Sequence, residues 1–226
     1  MKTAQEEKIT TARISLLLKK PFFGNMATRL ILKESKDIGT AATDGRHLWY
    51  APEFIDRLNV KQVEFLLAHE VLHVAFEHML RRGDREPQGW NVAADYAINQ
   101  ILDDEGIGSK PTGNDAPLLD SQYRGLSAEQ IYDGLSDWQK QQQTMDVHID
   151  LDKGEAKIKD KNGKDQTIQM PKLSKAEQDL MATQLVVPIP LHLILNCKMG
   201  FLLYLLAPIM VILYQSLHVT VHLQSF

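Results

Sequence analysis

Cysteine is nearly missing from this chain: Cys197 stands alone among 226 residues. No intrachain disulfide can form. The first residues, Met1 to Thr10, are polar and charged and lack the apolar core of an export signal, so the expected setting is the reducing cytoplasm. A basic excess is missing too. Lys+Arg number 25 against 29 Asp+Glu, for a formal net charge of -4, and nothing here points to a nucleic-acid partner. Charge of either sign runs out near the end, where Lys198 is the one formally charged residue from Leu180 to Phe226. Within that tail the apolar run Met199 to Tyr214 falls short of the ~20 residues that span a bilayer, and Gly200 and Pro208 interrupt it.

What is present is ordinary for a globular core, with 44% hydrophobic and 24% charged residues. Three stretches are expected: a folded domain over 1–138, a polar linker with a β-hairpin or meander over 139–184, and the hydrophobic tail 185–226. The tail reads as a truncated or frame-shifted end, a docked helix or a membrane tether. Along the first stretch, Glu6 to Lys19 reads as a helix ended by Lys20-Pro21. Thr28 to Lys33 alternates as a strand does. Gly39 to Thr43 and Arg46 to Tyr50 read as a hairpin about Asp44-Gly45, a dipeptide suited to a turn with two positive φ values. A strongly apolar helix is expected from about Lys61 to Arg82, capped by Asn59 and stopped by Gly83. A second should run from Trp90 to about Asp104. Ser127 and Gln130 fit a capping box on a short third. The fold class is therefore α+β.

The chemistry concentrates in His69-Glu70-Val71-Leu72-His73. Residues four apart on a helix differ by roughly 40° and lie one turn apart, so both imidazoles can face one ion. Zinc takes neutral imidazole nitrogen, and the adjacent Glu70 can act as general base on a water at the open position. Burying His, Glu and His on an apolar helix without an ion or hydrogen bonds would be costly. Zn2+ needs a third ligand. His78 lies five residues past His73, which on a continuous helix turns it about 140° away, and no glycine intervenes to bend the chain. It suits packing or support of a ligand better. Asp95 is the stronger choice. Asn91, Asp95 and Asn99 recur every four residues as a polar stripe on a helix otherwise rich in Ala, Val and Ile. A solvated face would more often carry Lys and Glu. Asn91 and Asn99 would orient the ligands.

In combination these residues resemble a known family, the metallopeptidase domain found N-terminal to a VWA-like domain in bacterial and phage proteins. The resemblance rests on Thr43-Asp44-Gly45 with Tyr50, Pro52 and Phe54, and on His69-Glu70-x-x-His73 with His78 and Arg81. It continues through Trp90-Asn91-x-Ala93-x-Asp95-x-x-Ile98-Asn99 and Leu126-Ser127-Ala128-Glu129-x-Ile131-Tyr132. It covers about residues 6 to 136. It implies a zincin-like fold: a small mixed sheet whose edge strand, the Arg46 to Tyr50 arm, lies over the active-site helix, backed by a second helix. Such an edge strand binds substrate backbone by β-augmentation. No Asp-x-Ser-x-Ser motif of a VWA-like domain follows. The expected function is a zinc-dependent metallopeptidase acting on peptides or proteins, with Glu70 as base and His69, His73 and Asp95 as ligands. The rival expectation is a non-catalytic, metal-stabilised protein-binding or assembly module.

Overall fold

In the computed structural model, described for residues 2–147, 149–150, 153–159, 165–170, 172, 174 and 176–177, the chain opens with a capped helix. Helix α1 (Ala4–Lys19) begins at a reciprocal capping box between Thr3 and Glu6 and buries Ile9, Ala12 and Leu16. The expected strand from Thr28 does not start there. Pro21 opens a second helix, α2 (Pro21–Arg29), because Phe22, Phe23, Met26 and Ala27 form a buried helical face. Strand β1 follows at Ile31–Glu34. The α1–α2 crossing is close: a Cβ on Gly24 would stand 2.2 Å from the Leu17 backbone nitrogen.

Strands β2 (Ala41–Thr43) and β3 (His47–Tyr50) form the expected antiparallel hairpin. The turn differs from the two-residue form. Thr43 pairs with Leu48, and of the loop residues only Gly45 takes positive φ, at 87°. Asp44 organises it instead. Its carboxylate accepts from the backbone N–H groups of Arg46 and His47 at 2.9 and 2.6 Å. The sheet order corrects the expectation for the Arg46 to Tyr50 arm. It is β1-β3-β2, so β3 is central, parallel to β1 and antiparallel to β2. The cause is non-local: β1 occupies the outer side of β3, and β2 becomes the edge.

After α3 (Pro52–Arg57) comes the most apolar helix, α4 (Val60–Ala75), capped reciprocally by Asn59 and Gln62. Val63, Phe65, Leu66, Leu67, Val71, Leu72 and Val74 are all buried along it, each worth about 1.5–3 kcal/mol when fully buried. The helix does not run on to Arg82. It stops at Phe76, Glu77 takes a left-handed conformation at φ 54°, and a short helix α5 (His78–Arg81) starts in a new direction. A glutamate thus makes the bend that a glycine was expected to be needed for.

Helix α6 (Pro87–Asp104) starts on a Glu86 cap with Pro87 in its first turn. It lies between two cores. Ile98 and Leu102 join the main cluster with α1 to α4 and the first sheet. Trp90, Val92, Ala93, Ala94, Tyr96 and Ala97 join a second one, with Tyr123 and the residues Ala128, Ile131 and Leu135. Helix α7 (Ala128–Gly134) opens on the expected Ser127–Gln130 capping box. Arg81 reaches α7 from α5 through both oxygens of Glu129, at 2.6 and 2.8 Å from Nη2.

The polar segment expected to hold a hairpin or meander carries a second sheet. Strands β4 (Ile149–Asp150), β5 (Glu155–Lys159) and β6 (Asp165–Gln169) form an antiparallel meander in sequence order. Met145, Ile149 and Ala156 are buried in the main cluster. The architecture is α+β. Among the described residues no helix is long and apolar enough to cross a membrane. The tail over 185–226, and every expectation attached to it, lies outside the described residues.

Candidate metal centre

The spacing on α4 has its expected consequence. The His69 and His73 Nε2 atoms stand 3.1 Å apart, and both residues are buried. Helix α6 packs against α4 and brings Asp95, fully buried, to the same place: its Oδ1 is 3.4 Å from His73 Nε2 and 3.9 Å from His69 Nε2. A fourth donor, the second carboxylate, arrives from outside both helices. Asp146 has Oδ1 3.3 Å from His69 Nε2 and Oδ2 3.9 Å from His73 Nε2. One ligand atom from each of His69, His73, Asp95 and Asp146 falls within 4.8 Å of all the others.

These separations fit an ion. Ligand atoms about 2.0–2.1 Å from a tetrahedral zinc stand ~3.3–3.4 Å from each other. Chemistry agrees with geometry. Glu70, also fully buried, adds a third carboxylate to the region. Closely grouped carboxylates in the interior carry a penalty of several kcal/mol each unless a cation balances them. The imidazole of His69 registers this field. Burial alone would suppress its charged form, yet Asp146 and Asp95 together outweigh burial, with Glu70 adding to them, and the pKa rises to about 9.

The surrounding hydrogen bonds aim the donors. Asn99 Nδ2 donates to the Leu118 carbonyl at 3.0 Å, which turns its Oδ1 toward His69 Nδ1, 2.9 Å away. An amide oxygen only accepts, so Nδ1 carries a proton, and it is Nε2, once its own proton leaves, whose lone pair faces the centre. His73 is steadied similarly. Its Nδ1 lies 3.2 Å from His78 Nδ1, while the Trp90 indole N–H donates to the His78 backbone carbonyl at 2.8 Å. The bend at Glu77 brings His78 there. The expected 140° divergence assumed one continuous helix; His78 instead lies outside the donor group with its ring against that of His73.

Asn91, the remaining member of the stripe, lines a cavity of about 100 Å³ that touches His73 and Asp146. Met79, Pro87, Trp90, Val147 and Ile149 supply much of its apolar wall. The sequence reading missed Asp146. It sits in a polar stretch with no helical period, and no ligand was sought beyond a third. Its one local signal is the short Val147–Ile149 alternation, which announces the nearby strand β4 at Ile149–Asp150.

The family described as "Putative metallopeptidase domain" matches residues 4–185. An uncharacterised protein of Thermotoga maritima is 29% identical over 104 residues, which cover 43% of this chain and 26% of that one. The match thus spans about a quarter of that relative's length. No solved structure matches.

Proposed function

The chain belongs to this metallopeptidase-domain family, and from that premise we propose that it is a zinc-dependent peptidase of zincin type. The observation that carries the reading is the group of two imidazoles and two carboxylates within 4.8 Å. His69, His73 and Asp95 would hold the ion. Their donors sit on two packed helices, and a set of two histidines and a carboxylate is a common catalytic one. A bound zinc would polarise the scissile carbonyl and acidify a water. Glu70, next to His69 on α4, would take the proton from that water and pass it to the leaving amine nitrogen. Asn99 and His78 would keep the two imidazoles in the tautomer and orientation that binding needs. The reaction is hydrolysis of a peptide bond, with one water consumed and an amine and a carboxylate released.

A second reading is favoured by the same group. Structural zinc sites are closed by four protein ligands, whereas catalytic ones keep a position open, and Asp146 makes a fourth donor here. A metal-stabilised assembly module would have that arrangement. The two separate with Glu70→Gln. One zinc per chain in wild type and variant, with zinc-dependent peptide hydrolysis absent only from the variant, supports the enzyme. Equal behaviour of the two leaves the module. Failure of the wild type to hold zinc overturns both.

A further inference from the structure

We propose that Asp146 is a displaceable fourth ligand, and that residues 146–147 occupy the position of a substrate strand and close the metal centre until they move aside. This rests on the metal-dependent reading above.

Two independent observations meet in adjacent residues. The Asp146 carboxylate lies among the donors, 3.3 Å from His69 Nε2. The next residue, Val147, donates its backbone N–H to the Ala41 carbonyl at 2.8 Å. Ala41 is on β2, an edge strand of the first sheet, paired to β3 on one side. This is the bond that an added strand makes with a sheet edge. The chain therefore offers an oxygen to the centre and a backbone donor to the adjoining edge, as a bound peptide would offer its carbonyl and its amide. Thr144 Oγ1 donates to the Asp146 carbonyl at 2.8 Å and shapes the segment for this.

The four donors are not held alike. Those of His69, His73 and Asp95 stand within the long hydrogen-bonded helices α4 and α6, His73 in the last turn of α4. Asp146 stands on irregular chain between a 3₁₀ turn at Gln139–Gln141 and β4. Local opening takes less free energy in such segments than in packed helices, so Asp146 is the donor that leaves. Met145 stays anchored in the main core. The movement is then confined to the Asp146 side chain and the Val147–Ala41 bond. The cavity agrees. At about 100 Å³ it is far below the ~300–1,000 Å³ of sites that take a ligand, and Asp146 and Val147 are part of its wall. Their withdrawal would enlarge it next to His73 and uncover the edge of β2.

The test uses the full chain loaded with Co2+, whose visible spectrum reports coordination, and acetohydroxamate as the probe for an open position. Asp146→Ala removes the fourth donor. Val147→Pro removes the bond to Ala41 and leaves all four donors in place, so it remains informative should the first variant fold poorly. Expected are one cobalt per chain in all three proteins, with acetohydroxamate binding at least ten-fold tighter in both variants than in wild type. A change in the cobalt absorption of Asp146→Ala before any probe is added should accompany this. Unchanged probe affinity in the variants overturns the proposal. So does loss of cobalt from Asp146→Ala, which makes Asp146 an indispensable ligand of a closed site. Absence of cobalt from wild type overturns the metal-dependent reading itself and is thereby told apart.

Discussion

Asn99 shows how one side chain away from the centre can decide what the centre does. Its amide is held by the Leu118 carbonyl, and it holds His69 in turn. Asn99→Ala should weaken zinc binding about 10–100-fold without unfolding the protein, measured by competition with a chromogenic chelator; an unchanged affinity would remove Asn99 from the site. Proton linkage gives a second expectation at this scale. The folded pKa of His69, about 9, lies above the ordinary 6.5. The ion-free protein therefore keeps that proton at neutral pH. Its stabilising contribution is complete below about 6.5 and is lost as the pH climbs through about 9. Zinc must displace the proton, since the metal takes neutral imidazole. Calorimetric zinc titrations at pH 7.5, repeated in buffers of different ionisation enthalpy, should show proton release. Heats that are independent of buffer would contradict it.

Among the elements, the bend at Glu77 and the crossing at Gly24 make sharp expectations. A left-handed conformation costs a non-glycine residue roughly 1–2 kcal/mol, and the Glu77 φ is 54°. Glu77→Gly should therefore keep the fold and shift the denaturation midpoint upward, by the equivalent of about 0.5–1 kcal/mol after the larger chain entropy of glycine is subtracted. Gly24→Ala should do the reverse. Its Cβ would press into the backbone of α1 at Leu17, and overpacking of this kind costs about 1–3 kcal/mol or more. Chemical denaturation of both variants checks the pair, and a stable Gly24→Ala would mean that the two helices separate freely. These elements also mark what could be read in advance. Helices α1, α4, α6 and α7 were legible from their apolar period, with Asn59 and the Ser127–Gln130 box marking two of the starts, while the end of α4 was misplaced at Gly83. The polar stripe through Asp95 and Asn99 was legible for the same reason, since its period of four stands out on an apolar helix. The bend was not, because Glu77 carries no mark of left-handed geometry. The central place of β3 was not either, since it depends on β1 arriving from the far side. Asp146 is the clearest case. Only the folding of the second sheet against the main core, through Met145, Ile149 and Ala156, brings it to imidazoles more than seventy residues earlier in the chain.

Across the whole molecule, the donor group ties together α4, α6 and the approach to the second sheet. An ion bound there should stabilise the fold as a ligand of the native state does, by about 2.7–4.1 kcal/mol at 100 to 1,000 times its dissociation constant. For a domain of this size that corresponds to roughly 5–15 °C in melting temperature. Removal of the ion with dipicolinate, followed by calorimetric melting, should reveal a drop in that range, restored by equimolar zinc. A melting temperature indifferent to chelation would separate the cluster from stability altogether. Asp95→Asn should give the same drop without chelator, because it weakens a donor and leaves the volume unchanged.

The indole of Trp90 has a further use. Its ring meets the His78 imidazole edge-on with centroids 6.0 Å apart, and His78 in turn touches His73 at 5.2 Å. Two ring contacts therefore connect a natural fluorophore to the coordinating group. Zinc loading should thus change the tryptophan emission, read without any attached dye, and Trp90→Phe should abolish that change while the emission of Trp49 and Trp138 remains.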